Sequence, residues 1–113
     1  MSPVINEEWT VKIAANGETP VVFDVADSHK YDPTRARFEV VTERYLVPST
    51  TSALNRTEIT VTVPLSDQVV RMMHREPWLE VLCDGKQRWK ADVVKWTFDS
   101  RMGSVEFAGF AAP

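Results

Sequence analysis

Apolar and polar residues alternate with a period of two through most of the chain, which predicts β-strands. The clearest case is residues 58–63, where isoleucine and valine alternate with glutamate and threonine. The predicted strands cover residues 9–14, 21–25, 37–47, 58–63, 78–83, 86–98 and 104–110. The chain is therefore predicted to be β-rich, with about seven strands.

Turn-forming residues separate these strands. Asn16-Gly17 and Asp84-Gly85 are typical of tight hairpin turns. Residues 26–36 and 48–57 are polar, contain proline, and predict two loops that exceed the usual connection of about 4–6 residues. Long loops of this kind are candidates for binding or for contacts between subunits.

One short helix is predicted over residues 67–74. Pro64 ends the preceding strand, Ser66 has the character of an N-cap, and Asp67 in the first turn suits the helix dipole. Valine and methionine residues form its apolar side.

A change of parity in the strand over residues 86–98 predicts a β-bulge. Trp89, Ala91 and Val93 share one parity, whereas Trp96 and Phe98 share the other with Val94. Since a strand needs an extra residue to exchange its faces, the bulge is expected near Val93-Val94. A weaker change of the same kind over residues 38–47 suggests a second bulge. We expect a single domain over residues 1–113, a small bulged β-barrel or sandwich with one short helix.

The composition restricts the chemistry. The 113 residues include one cysteine, two histidines and four glycines. These numbers exclude a Cys/His zinc site and a disulfide within the chain, and they argue against a glycine-rich phosphate loop. The first residues lack the features of a signal peptide, and no apolar run is long enough for a membrane helix. We therefore expect no cofactor, no metal, no membrane contact, and synthesis in the cytoplasm.

Charge is unevenly distributed along the chain. The net charge of −3 does not favour sequence-specific nucleic-acid binding. Residues 1–27 carry a net charge of −4, and residues 86–101 carry +3. Two interpretations stay open: a chance distribution over solvated segments, or opposite faces of opposite sign that meet in a ring or stack.

No catalytic motif is present, so we expect no enzymatic activity. Cys83 follows an apolar run and is predicted to be a small buried side chain rather than a nucleophile. Acids around Asp32 lack the order of a calcium loop.

Four tryptophans are many for a chain of this length. Each lies in an apolar strand pattern, which favours filling of the core. The alternative is a carbohydrate-binding or adhesion module in which an exposed Trp78 or Trp89 stacks on sugars.

The order of elements from about Glu58 to Ala111 carries a resemblance. A strand ending in Thr-Val-Pro is followed by a short apolar helix, a Leu-Glu-Val strand with an Asp-Gly turn, a bulged strand, and a closing Gly-x-Val-x-Phe-x-Gly. The residues concerned are Thr62, Val63, Pro64, Leu79, Glu80, Val81, Asp84, Gly85, Gly103, Val105, Phe107 and Gly109. This half of the chain resembles the first, hub-type domain of tail-tip proteins from tailed bacteriophages.

The resemblance implies a structural virion protein without catalysis, a ring-forming part of the tail, tail tip or head–tail junction that is assembled in the host bacterial cytoplasm. Its expected partners are copies of itself and other tail or connector proteins. We expect subunit contacts in the two long loops and at the cations that follow Asp84-Gly85. The candidate contact residues are His29, Tyr31, Thr50, Leu54, Lys86, Arg88 and Lys90.

Overall fold

The computed structural model describes residues 8–26, 34–46 and 53–111, without the side chains of residues 45, 46, 53 and 54. It is β-rich with one short helix, as predicted. The elements are β1 (Trp9–Ala14), β2 (Val21–Asp24), β3 (Arg37–Leu46), β4 (Ala53–Pro64), α1 (Asp67–Met73), β5 (Trp78–Cys83), β6 (Lys86–Asp99) and β7 (Ser104–Ala111).

All seven strands belong to one antiparallel sheet with the order β2-β1-β5-β6-β7-β4-β3. The sheet is not closed into a barrel, because β2 and β3 form its two edges. Among the described residues, the edges are joined by an isolated parallel bridge between Val25 and Ala36. There the Ala26 amide donates to the Ala36 carbonyl, and the Ala36 amide donates to the Asp24 carbonyl, both at 2.8 Å.

The sheet curls strongly around a single core. Strands from both halves of the sheet contribute to one cluster of buried side chains, which includes Val11 of β1, Ile59 of β4 and Phe107 of β7. The rings of Trp9 and Phe38, on β1 and β3, lie 5.2 Å apart although four strands separate β1 from β3 in the sheet order. The apolar side of each strand thus faces inward, where burial of one such side chain stabilises the fold by about 1.5–3 kcal/mol.

The helix α1 packs against the core through Val69 and Met72. Its N-cap is Ser66, as predicted, and the Ser66 hydroxyl accepts a hydrogen bond of 3.2 Å from the Val69 amide. The helix has its last residue at Met73, and His74 is the C-cap.

The predicted bulge in β6 is confirmed. Val93 pairs with Gly109 and Lys95 pairs with Ala108, so Val94 is the extra residue. Trp96 and Phe98 are then opposite the buried Phe107 and Val105, and they share the inner face of the sheet with them.

Two other irregularities differ from the sequence expectation. The predicted second bulge in residues 38–47 is wrong, because β3 pairs with β4 in unbroken register from Arg37 to Leu46. Instead, a bulge occurs where β6 meets β5: Val81 pairs with Trp89 and Leu82 with Gln87, which leaves Arg88 as the extra residue. The charged Glu43 and Arg44 in β3 interrupt the apolar pattern at the sheet edge, where both are exposed, and this produced the misleading parity.

Strand β4 begins earlier than predicted. Residues 53–57 were expected to belong to the loop 48–57, but they extend β4 and pair with the end of β3. Of the two predicted long loops, residues 27–33 and 47–52 lie outside the described part of the chain.

Gly109 allows the close approach of β6 and β7 at the bulge. A Cβ atom at this position would overlap the Asp92 carbonyl oxygen and would lie 3.1 Å from the Ala91 Cβ. The backbone there belongs to a strand pair, so it has little freedom to move away.

Gly109→Ala should therefore destabilise the domain by about 2 kcal/mol, the usual cost of overpacking. Urea unfolding followed by circular dichroism measures this loss. Gly85→Ala is the matched control: it adds the same methyl group where no heavy atom lies within 4 Å, and only the positive φ of +80° opposes it. A Gly109→Ala variant as stable as the parent would contradict the close approach.

Ser66→Ala should remove the N-cap and cost about 1 kcal/mol in the free energy of unfolding. Ser66→Asp should keep most of the stability, because a carboxylate also accepts from the first-turn amides and suits the helix dipole. Thermal unfolding of both variants distinguishes the loss of the cap from a general effect of substitution. Equal melting temperatures for the two variants would count against the capping role.

Candidate interaction surfaces

The predicted contact residues fall into three groups. His29, Tyr31 and Thr50 lie outside the described residues. Leu54 lies in β4, and its side chain is not described. Lys86, Arg88 and Lys90 lie in the first part of β6 and are exposed.

The three cations of β6 have different surroundings. Lys90 pairs across the sheet with Glu80, and its Nζ lies 5.8 Å from the Trp78 ring centroid. Arg88, the extra residue of the first bulge, places its guanidinium carbon 5.6 Å from the Trp9 ring and 5.9 Å from the Trp89 ring. The bulge thus turns Arg88 toward the aromatic side chains of the inner face, and the cations do not form one uniform patch.

The acidic and basic segments do not lie on opposite faces in the described residues. Strand β1 of the acidic segment and β6 of the basic segment both flank β5 in the same sheet. In addition, the Glu18 carboxylate forms ion pairs with the Nε atoms of Arg71 and Arg75, at 3.5 and 3.6 Å. The charge imbalance along the sequence is therefore partly compensated within the fold.

The tryptophans divide into half-buried and exposed residues. Trp9 and Trp89 stack with centroids 6.1 Å apart and, together with Phe38, pack against the core, as the core-filling interpretation predicts. Trp78 is half-buried beside Lys90. Trp96 is exposed, and its ring contacts His74 of the α1 C-cap edge-on at 6.2 Å. The most exposed tryptophan is thus neither of the two that the sugar-binding alternative requires.

Exposed apolar side chains lie along the second half of β6 and in the turn between β6 and β7. Val94, Trp96, Phe98 and Met102 have exposed fractions of 66%, 42%, 47% and 44%. We refer to these four residues as the apolar tip. Large apolar side chains exposed close together in a small domain are typical of a protein interaction site. The sequence carries a signal for it in the parity change at Val93-Val94, which predicts the bulge, whereas the apolar strand pattern around Trp96 predicts core filling.

The β3–β4 hairpin extends beyond the rest of the sheet. The pairing of β4 with β7 covers residues 58–64, whereas β3 pairs with β4 as far as residues 46 and 53. Residues 42–46 and 53–57 therefore form a two-stranded ribbon, which we call the arm. Thr42 and Thr57 share a hydroxyl hydrogen bond of 3.0 Å within the arm, and the Arg56 guanidinium lies 3.6 Å above the Phe110 ring at its base. The arm and the turn between β6 and β7, which contains Met102 of the apolar tip, lie at opposite ends of β4, since Pro64 pairs with Ser104.

The other candidate chemistry of the sequence finds little support in the geometry. Cys83 is buried, as predicted. The described residues contain no group of three or more His, Cys, Asp or Glu side chains placed to hold a metal ion. Asp32 lies outside the described ranges. Within those ranges, no helix has the length and hydrophobicity needed to cross a membrane.

No protein-family model matches the sequence, and no curated protein matches it significantly.

Trp96→Phe should remove the largest share of acrylamide-quenchable tryptophan fluorescence, because Trp96 is the only tryptophan among the exposed large side chains of the described residues. Trp89→Phe, which changes a half-buried ring of the aromatic cluster, is the control. Stern–Volmer titrations of dilute protein measure the accessible fraction. A larger decrease in Trp89→Phe than in Trp96→Phe would contradict the described exposure.

Proposed function

We propose that the protein is a structural component of a tailed-bacteriophage virion, a subunit of a homo-oligomeric ring at the tail, tail tip or head–tail junction. The observation that carries the proposal is the apolar tip. Its four side chains are solvent-accessible in the single chain, and their burial against another protein would recover hydrophobic free energy at about 25 cal/mol per Å² of apolar surface.

The position of the tip suits a ring. A closed ring is built from heterologous contacts, in which two different surfaces of neighbouring subunits meet. The tip would supply one such surface, and a different part of the next subunit would receive it. The turn beside the tip exposes both Asp99 and Arg101, so charges of both signs would face the receiving surface.

The resemblance to the tail-tip hub domain supplies the virion context. The segments that carry it coincide with β4, α1, β5, the bulged β6 and β7, in that order. A fold resemblance alone does not define a function, so the assembly state is the property to test.

Native mass spectrometry or mass photometry of the purified protein should show a closed oligomer of more than two subunits. Phe98→Asp should shift it toward smaller species, because the carboxylate would be desolvated in the contact. Val22→Asp is the matched control: Val22 is 58% exposed on β2, away from the tip. Both variants should keep the parent circular dichroism spectrum.

A protein that stays monomeric at high concentration and is absent from purified virions would refute the proposal. So would equal effects of Phe98→Asp and Val22→Asp on the oligomer. A decrease of tryptophan fluorescence on titration with glycans would support the carbohydrate-binding alternative instead.

A further inference from the structure

The arm lacks a third strand in the described part of the chain. The backbone of residues 42–46 pairs with β4 on one side, and residues 53–57 have no counterpart in β7. An isolated two-stranded ribbon is marginally stable in water, and a long edge strand presents unpaired amides and carbonyls to any compatible strand. The arm is thus a site for the addition of a strand.

We propose that β3 of one copy pairs antiparallel with β3 of a second copy, about a two-fold axis that passes through Thr42. This contact is isologous and thus separate from the heterologous contact that closes a ring. It goes beyond the proposed function and does not depend on the virion context.

The geometry near Ala36 restricts the possible registers. Ala36 already uses its amide and carbonyl in hydrogen bonds with Asp24 and Ala26 of its own chain. An axis at Val40 or earlier would bring the second strand alongside Arg37, next to this bridge. Since a second strand cannot pair with Ala36, the axis must lie far enough along β3 for the pairing to end before this residue.

Charge then distinguishes the remaining registers. An axis at Val41 places Glu39 opposite Glu43 twice. An axis at Glu43 or at Arg44 places that charged residue opposite its own copy. An axis at Tyr45 or Leu46 opposes no like charges among the described residues, but it pairs at most three of them in each chain. Like charges directly opposite each other destabilise a strand pair.

The axis at Thr42 avoids all of these oppositions. It places Val41 opposite Glu43 and Val40 opposite Arg44, with Thr42 facing its own copy. The pairing covers residues 38–46 of each chain and therefore provides a third strand along the whole β3 side of the arm.

A cysteine at position 42 tests the axis directly. In a Cys83→Ser background, Thr42→Cys places two Cβ atoms about 4.5–5.5 Å apart across the axis, close enough for a disulfide after a small adjustment. Arg44→Cys is the control, because it is equally exposed on the arm but lies four residues from its own copy along the strand, roughly 13 Å. Under mild oxidation, Thr42→Cys should form covalent dimers at least tenfold faster than Arg44→Cys. Equal rates, or faster dimerisation of Arg44→Cys, would overturn the proposal.

Substitutions of Val41 test the same register without oxidation. Val41 is exposed and would face Glu43 of the second copy twice per dimer. Because Val41 also pairs with Glu58 of its own chain, the substitutions are made in a Glu58→Gln background, which removes that charge. Val41→Lys should tighten and Val41→Glu should weaken the dimer, each by about fivefold in the dissociation constant measured by sedimentation velocity. The same sign of change in both variants would overturn the register.

The outcomes separate this contact from the proposed function. Covalent Thr42→Cys dimers of a protein that is absent from virions would refute the function alone. A ring in virions whose Thr42→Cys variant does not crosslink would refute the two-fold contact alone.

Discussion

A sheet accompanied by a single seven-residue helix has to bury most of its apolar face against itself. Because α1 contributes only Val69 and Met72 to the core, the remaining inner side chains can leave water only if the sheet curls. The contact between Trp9 and Phe38 is the result, since it brings together strands that are far apart in the sheet order. The bulges at Val94 and Arg88 are places where such bending is accommodated, because each adds a residue to one strand alone.

The strands, the helix and the β6 bulge could be predicted from the sequence because each is encoded by neighbouring residues. The period of two, the Ser66 cap and the parity change at Val93-Val94 are local signals, and apart from the start of β4 the elements begin and end close to the predicted positions. The bulge at Arg88 has no such signal in the sequence. Residues 86–88 are all polar, so an extra residue among them leaves the alternation of apolar and polar positions unchanged. Whether the sheet closes into a barrel was also beyond prediction, because closure depends on the distance between β2 and β3, which no local pattern records.

The candidate surfaces were harder to predict for the same reason. The cations of β6 form a cluster in sequence, but the bulge at Arg88 gives them different environments. Trp96 is a large apolar residue of the kind that usually fills a core. It is exposed because it lies on the part of the inner face that β6 and β7 extend beyond the core. Residues 53–57 of the arm were predicted as part of a loop, since their polar asparagine, arginine and threonine residues resemble those of a connection. In each case the decisive quantity is where one strand ends relative to its neighbour.

The bridge between Val25 and Ala36 gives the sheet a seam. Along every other boundary between strands, a full ladder of hydrogen bonds fixes the separation, whereas two backbone hydrogen bonds join the edges here in the described residues. The two edges are therefore held together across the seam more by side-chain packing, such as the contact of Trp9 with Phe38, than by backbone hydrogen bonds. The curvature of the sheet thus depends on how its inner face packs rather than on a continuous ladder around the domain.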